Sequence, residues 1–146
     1  MNALKSSTSF TALSFARRSS IKHLSPNVSS RLYSIRTEKG GEVMHVTETT
    51  FKDSVLDSKI PTLVDFYADW CGPCRLISPL LEAAVKNSGS VNLAKIDIEQ
   101  QQALASKYQI SSLPTVVAFK DGENVDSFIG FKDQKFINEF IAKLST

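Results

Sequence analysis

The two cysteines of this chain, Cys71 and Cys74, are its most constraining feature, because they lie at a junction between two different sequence patterns. The run 61–68 before them is strand-like and nearly all apolar, whereas the run 75–86 after them has the apolar spacing of a helix. Two intervening residues place the sulfurs one helical turn apart, where they can close a small ring. The pattern predicts a redox-active dithiol in an α/β domain.

Structural zinc is the main alternative use of such a pair, but a zinc site needs four ligands. The chain has only two histidines, His23 and His45, and His23 lies in a basic N-terminal segment. An inert, buried cysteine pair is a second alternative. The Gly72-Pro73 spacer and the helix-start context argue against it, because both suit disulfide exchange. We therefore expect no metal site and no bound cofactor.

Charge divides the chain into two parts. Residues 1–37 contain six of the seventeen basic residues and no acid, whereas residues 38–146 hold eleven bases and all fifteen acids, a net charge of −4. A mildly acidic domain argues against nucleic acid as a partner. No run approaches the roughly 18 apolar residues of a membrane-spanning helix. We expect one soluble domain, monomeric, with neither nucleic acid nor membrane as a partner.

The segment 1–36 has the composition of an organelle transit peptide, because it is rich in Ser, Arg and Lys and lacks Asp and Glu. Its last part, Arg-Leu-Tyr-Ser at 31–34, resembles the cleavage pattern of mitochondrial presequences. We expect a disordered mitochondrial transit peptide over 1–36, cleavage near Tyr33 or Ser34, and the matrix as destination. A chloroplast address stays open, because the same composition describes both.

Two other interpretations of this N-terminal segment are weaker. A secretory signal needs an unbroken apolar core, but the run 10–16 is interrupted by Thr11 and Ser14 and is followed by two arginines. The second interpretation is a disordered tail that carries no targeting signal. In every case it is excluded from the fold, which leaves residues 37–146 as the domain.

Within residues 37–146, strand-like and helix-like runs alternate. The strand-like runs are 42–46, 63–68, 91–98, 115–120 and 125–129. Helix-like runs occupy 75–86 and 100–108, and two more helices start at the caps Thr47 or Thr49 and Asp133. Asp121-Gly122 predicts a hairpin turn between the last two strands. The order β-α-β-α-β-α-β-β-α predicts an α/β fold with a central, mixed, five-stranded sheet flanked by four helices.

A helix start gives the two cysteines different roles. If Cys71 is the N-cap, its sulfur faces the free N–H groups of the first turn and the positive end of the helix dipole, which favour the thiolate. Cys74, one turn into the helix, is more shielded. We expect Cys71 to be the exposed nucleophile and Cys74 the resolving cysteine. Gly72 and Pro73 tune the pair, because Pro73 has no N–H to donate to the thiolate.

Residues 65–74, Asp-Phe-Tyr-Ala-Asp-Trp-Cys-Gly-Pro-Cys, resemble the signature of the thioredoxin family. The similarity extends over 42–146 and includes Leu113-Pro114-Thr115 and Gly130. It implies the thioredoxin fold and a protein-disulfide reductase that carries electrons in redox homeostasis. It also implies disulfide-containing protein substrates and regeneration by an NADPH-dependent thioredoxin reductase. The basic N-terminal segment suggests an organellar, mitochondrial member of the family.

The resemblance also assigns a role to an acid in the strand-like run. Asp65 stands where its neighbours are apolar, and a buried, unpaired carboxylate has a raised pKa. The matching family residue lies behind the second cysteine, which implies that Asp65 accepts and donates the proton of Cys74. Lys95 matches the family's lysine near that acid and would modulate its charge. The alternative, a solvated acid at a strand end, fits poorly with a position inside the run.

Further residues are assigned to substrate binding by the same resemblance. Leu113-Pro114 matches the family's cis-proline loop, which would leave the Leu113 backbone free to pair with an extended substrate; a trans loop proline is the alternative. Trp70 is expected at the surface rather than in the core. The apolar docking area around Cys71 would comprise Trp70, Gly72, Pro73, Ile98, Leu113, Pro114, Ile129 and Gly130.

Two sites depart from common family forms: Tyr67 stands where Trp is frequent, and the pair Ser111-Ser112 stands where Gly or a charged residue is frequent. We expect these changes to affect partner preference rather than the chemistry. An oxidase or isomerase of secreted proteins is disfavoured by the Gly-Pro spacer and by the weak secretory signal. A structural module without redox use would tolerate loss of both cysteines.

Overall fold

In the computed structural model, which describes residues 39–146, five strands form one mixed sheet. The strands are β1 (Val43–His45), β2 (Thr62–Tyr67), β3 (Asn92–Asp97), β4 (Thr115–Lys120) and β5 (Glu123–Ile129). Their spatial order is β1-β3-β2-β4-β5, with β1, β3 and β2 parallel, β4 antiparallel to β2, and β5 antiparallel to β4. The five-stranded mixed sheet expected from the sequence is confirmed. The predicted transit peptide and its cleavage site lie outside the described residues.

The four predicted helices are also present. They are α1 (Glu48–Phe51), α2 (Gly72–Ser88), α3 (Gln102–Lys107) and α4 (Gln134–Leu144). The α1 helix continues as a π-helical turn over Lys52–Leu56, which the Asp57 N–H closes by donating to the Lys52 carbonyl at 2.8 Å. The sequence pattern did not reveal this wider turn. No helix between residues 39 and 146 has both the length and the apolar character needed to cross a membrane.

The helices cover both faces of the sheet, which explains why β2 is apolar on both sides. Leu63 of β2 packs in a cluster with residues of α2 and α4, such as Ile77 and Ile137. Its neighbour Val64 packs in a second cluster with Phe51 of α1. Successive strand residues point to opposite faces, so Leu63 and Asp65 face α2 and α4, whereas Val64 faces α1 and α3.

The start of α2 follows directly from the end of β2 through a short connection at the edge of the sheet. Cys71 is the N-cap of α2, with φ −79° and ψ 107°, and Pro73 lies in the first turn, where a missing N–H costs no helix hydrogen bond. The helix ends at Ser88, and its C-cap Gly89 has a φ of 61°, in the left-handed region that favours glycine. These local features hold the two cysteines at the carboxyl end of the central strand.

Candidate active site

Cys71 and Cys74 form a disulfide at the N-terminus of α2, with an S–S distance of 2.09 Å. The Cys71 Sγ accepts the backbone N–H of Cys74 at 3.2 Å, so the predicted N-cap position is confirmed. An N–H group at a helix N-terminus stabilises negative charge on the atom that it faces. When the disulfide is reduced, this geometry favours a thiolate at Cys71.

The prediction that Cys71 is exposed is wrong for the disulfide form. The exposed fraction is 4% for Cys71 and 2% for Cys74, because Ala68, Ile98 and Leu113 pack against the pair. The two cysteines instead line different depressions in the surface. Cys71 lines a groove of about 310 Å³, here called the Cys71 groove. Cys74 lines a cavity of about 150 Å³, here called the Cys74 cavity.

The Cys71 groove brings together most of the predicted docking residues. Its lining comprises Trp70, Cys71, Gly72, Pro73, Ile98, Ile110, Ser111, Ser112 and Leu113. Trp70 is 66% exposed, which confirms its surface position. Of these residues, Ile110 was not assigned to the site from the sequence, and Ser111 and Ser112 were expected only to affect partner preference. All three directly precede the Leu113-Pro114 pair. This lining, drawn from the described part of the chain, contains no charged side chain.

The Leu113-Pro114 peptide bond is cis, as the resemblance implied. Pro114 is buried and does not line the groove. Its carbonyl accepts the Gly130 N–H at 2.8 Å, and Gly130 has a φ of 80°, in the left-handed region. Gly130 therefore supports the cis-proline loop from the end of β5 and does not line the groove itself. On the other side of the loop, Thr115 Oγ1 donates to the Ser112 carbonyl at 2.7 Å.

Asp65 lies in the middle of β2 and has an exposed fraction of 0%. Its carboxylate oxygens accept no hydrogen bond from any residue that the structure describes. Burial raises the pKa of Asp65 to about 7; the Lys95 charge opposes this rise and the Glu82 charge adds to it. The predicted buried, unpaired acid with a raised pKa is confirmed. Its role in proton transfer stays a prediction.

Lys95 lies directly opposite Asp65, because these two residues are partners in the β2–β3 register. The Lys95 ammonium nevertheless contacts α2: its Nζ donates to Ser78 Oγ at 2.6 Å and to Glu82 Oε1 at 3.0 Å. It also lies 5.5 Å from the ring centroid of Tyr67. Ser78 and Glu82 were not predicted as site residues. Their spacing of four and eight residues after Cys74 was the available signal, since it places all three on one side of a helix.

Comparisons with known proteins give a consistent result. The family model for thioredoxin matches residues 42–143. The mitochondrial thioredoxin of Bos taurus is 46% identical over 95 residues, which are 64% of this chain and 57% of that protein. The probable thioredoxin-2 of Caenorhabditis elegans is 39% identical over 131 residues, 88% of this chain and 90% of that protein.

Solved structures agree with these matches. A mutant thioredoxin from Halobacterium salinarum superposes with a TM-score of 0.67 and 36% identity, covering 73% of this chain and 93% of that one. The thioredoxin of Malassezia sympodialis gives a TM-score of 0.66 and 30% identity over the same shares. The chain spans little more than half the length of the mammalian mitochondrial thioredoxins that it matches, since the coverage is 57% for the cattle, mouse and rat proteins.

Proposed function

Because the chain belongs to the thioredoxin family, we propose that it is a thiol-disulfide oxidoreductase that reduces disulfides in other proteins through Cys71 and Cys74. One observation carries this proposal. The disulfide caps the N-terminus of α2, with the Cys71 Sγ accepting the Cys74 N–H, and Cys71 lines an open groove. Such a pair stores two electrons as a dithiol and releases them by forming the disulfide. The protein acts as a dithiol electron carrier in redox homeostasis.

In the proposed reaction, the Cys71 thiolate attacks one sulfur of a substrate disulfide. The substrate S–S bond breaks, a mixed disulfide forms, and the other substrate sulfur leaves as a thiolate that takes up a proton. Cys74 then loses its proton and attacks the Cys71 Sγ. This step breaks the mixed disulfide, releases the second substrate thiolate and closes the Cys71–Cys74 bond. Two electrons pass from the dithiol to the substrate.

Asp65 is the proposed proton acceptor for Cys74, and it returns the proton in the reverse direction. A proton carrier works best when its pKa is near the working pH. The burial that raises the Asp65 pKa to about 7 meets this condition. Gly72 and Pro73 tune the redox balance, because a proline in the first turn offers no N–H to the Cys71 thiolate. The positive charge of Lys95 influences the ionisation of the Asp65 carboxyl.

The Cys71 groove is the proposed docking site for substrate. Trp70, Ile98 and Leu113 supply apolar area, and the absence of charge in the described lining suits many unrelated partners. An extended substrate segment would pair with the backbone at Leu113, next to the buried Pro114, as an added strand. Gly130 shapes this loop through its hydrogen bond to Pro114. An NADPH-dependent thioredoxin reductase is the proposed partner that regenerates the dithiol, and the protein acts as a monomer.

The test of this function is reduction of insulin disulfides by the full chain, with dithiothreitol or a thioredoxin reductase and NADPH as electron source. Cys71→Ser should reduce the rate to the background of the reductant alone. Cys74→Ser should accumulate a mixed disulfide with the substrate, which mass spectrometry detects. Ala83→Ser is a matched control, since Ala83 is an exposed position of α2. An unchanged rate in Cys71→Ser refutes the proposal, and failure to trap the adduct refutes the order of attack.

We also propose that residues 1–36 form a transit peptide for the mitochondrial matrix, removed near Tyr33 or Ser34. The acid-free composition of this segment and the mitochondrial relatives support the proposal. A fusion of residues 1–40 to a fluorescent protein should accumulate in mitochondria, and N-terminal sequencing of the processed fusion gives the cleavage site. The double variant Arg17→Glu, Arg18→Glu is the control that should remain cytosolic. Accumulation in plastids favours the chloroplast alternative.

A further inference from the structure

The ammonium group of Lys95 has two fixed anchors on α2. Its Nζ donates to Ser78 Oγ at 2.6 Å and forms an ion pair with Glu82 Oε1 at 3.0 Å. Ser78 and Glu82 are four residues apart, so they hold the group from two successive turns of one helix. The Lys95 side chain is only 15% exposed. In this largely buried setting, two short polar contacts restrain the ammonium more firmly than a surface pair does.

With Lys95 anchored on α2, the carboxyl of Asp65, which lies opposite Lys95, has no direct partner in the described chain. Asp65 and Lys95 are Cα partners, and side chains of directly opposite residues share one face of a sheet. An ion pair between them would be the expected neighbour contact, but the carboxylate oxygens of Asp65 accept no hydrogen bond within the described chain. The only acid that forms an ion pair with Lys95 in residues 39–146 is Glu82.

The titratable groups around Asp65 come from several elements. β3 contributes Lys95, which is in register with Asp65, and α2 contributes Glu82, which contacts Lys95. Cys74 of α2 lines one cavity with Lys95 and is a thiol only after reduction of the disulfide. Tyr67 lies two residues after Asp65 on β2, and His45 of β1 is in register with Lys95. Burial makes the largest contribution to the raised pKa of the Tyr67 phenol, and the charges of Asp97, Asp69 and Asp65 add to it. Of these groups, Lys95 is the cation nearest in register to Asp65.

We propose that Glu82, assisted by Ser78, is a positioning residue that holds the Lys95 ammonium on α2 and keeps it from forming an ion pair with Asp65. The inference rests on the proposed function, in which Asp65 exchanges a proton with Cys74. Glu82 does not touch the reacting sulfurs. Its negative charge raises the pKa of Asp65 directly, and its positioning effect acts through Lys95. Ser78 contributes an uncharged anchor one helical turn nearer to Cys74.

The physical consequence concerns the strength of Asp65 as a base. A direct ion pair with an ammonium stabilises a carboxylate and lowers its pKa by one to three units. Asp65 would then stay ionised at neutral pH and would be a weak acceptor for a thiol proton. With Lys95 held by Glu82 and Ser78, burial dominates and the pKa of Asp65 is raised to about 7. The anchor thus preserves a proton carrier that works at neutral pH.

The test titrates the Asp65 carboxyl in the full chain by its carbon-13 NMR shift, and in parallel follows the pH profile of mixed-disulfide resolution. Glu82→Gln should lower the Asp65 midpoint by about one unit, because Lys95 is released toward the carboxyl and one negative charge is lost. Ser78→Ala changes no charge, and it should lower the midpoint in the same direction by a smaller amount. Glu139→Gln, an exposed acid of α4, is the matched control and should leave the midpoint unchanged.

Repeating the substitutions in a Lys95→Met background separates positioning from direct charge effects. Without the ammonium, Ser78→Ala should have no effect, and Glu82→Gln should retain only the part of its shift that comes from its own charge. Equal shifts of Glu82→Gln with and without Lys95 overturn the inference, and so does an unchanged midpoint in Ser78→Ala. The NMR titration needs only a folded protein. A wild type that fails to reduce insulin therefore refutes the proposed function, but the NMR titration still tests whether Glu82 positions Lys95.

Discussion

At the scale of single residues, Asp65 couples the chemistry of the site to the stability of the protein. Its pKa is 3.8 as a free group and is raised to about 7 by burial in the fold. Between these two values, the folded protein holds a proton that the unfolded chain has already lost. The free energy of unfolding therefore decreases as pH rises through this window, and this contribution is constant above it. The buried carboxyl of Asp65 therefore destabilises the fold at neutral pH.

Replacing Asp65 by Asn should remove this pH dependence. Asn cannot ionise, so the stability of Asp65→Asn relative to wild type should increase between pH 4 and pH 8 by on the order of 4 kcal/mol. The buried amide adds a cost of its own, but that cost is the same at every pH. Urea unfolding from pH 4 to pH 8, with the disulfide intact, measures the difference.

Asp53→Asn is the control for that measurement, since Asp53 is an exposed acid in the turn after α1. Its stability should follow the wild type across the pH range. A constant difference between Asp65→Asn and wild type at all pH values would contradict the assignment of a raised Asp65 pKa. The insulin-reduction rate of Asp65→Asn should fall most above neutral pH, where the ionised carboxylate is the proposed acceptor for the Cys74 proton.

At the scale of elements, α2 and α4 hold the face of the sheet that carries Asp65 and Lys95. The α4 helix begins at its N-cap Asp133, whose Oδ1 accepts the Phe136 N–H at 2.9 Å. Phe128 of β5 then packs edge-to-face against Phe136 and Phe140, with ring centroids 5.3 and 5.0 Å apart. The cap and the aromatic contacts together attach α4 to the sheet.

Loss of the α4 cap should weaken the fold without changing the chemistry. Asp133→Ala leaves the first-turn N–H groups without a side-chain acceptor, which should lower the free energy of unfolding by about 1 kcal/mol. Asp133→Ser keeps a capping oxygen and should retain most of the stability. Urea unfolding compares the three proteins. Because α4 does not line the Cys71 groove, equal insulin-reduction rates are expected, and a slower Asp133→Ala would argue for a direct role of α4.

At the scale of the whole molecule, the proposed carrier must keep one fold in two redox states. The disulfide has a sequence separation of three residues, so it closes a very short loop. The chain-entropy gain of a cross-link grows with the logarithm of loop length, and it is small for short loops. The core clusters on the two faces of the sheet contain most of the large buried side chains and do not include the cysteines. The fold therefore does not depend on the disulfide.

Reduction should lower the free energy of unfolding by only about 2 kcal/mol. The reduced protein should keep its far-ultraviolet circular dichroism spectrum and a single cooperative urea transition, displaced to a lower midpoint. Cys71→Ser cannot form the bond, so its midpoint should be the same with and without reductant. A reduced protein that loses its secondary structure would contradict this view and would be unsuited to repeated cycles.

Local chemistry made several features of this protein predictable from its sequence. The N-cap position of Cys71, the cap at Asp133 and the hairpin at Asp121-Gly122 depend on residues a few positions apart. The nearly all-apolar run of β2 indicated a central strand, and Asp65 was identifiable as a buried acid because it interrupts that run. The family resemblance supplied the cis Leu113-Pro114 bond, which no local pattern indicates.

Only the tertiary structure decided the features that depend on contacts between distant segments. Strand order places β3 beside β2 and so brings Lys95 opposite Asp65, while packing against α2 directs the lysine to Ser78 and Glu82. The same packing buries Cys71, against expectation, and adds Ser111 and Ser112 to the groove. Local spacing can place a cysteine at a helix start, but it does not encode register or burial. These arise when the whole core assembles.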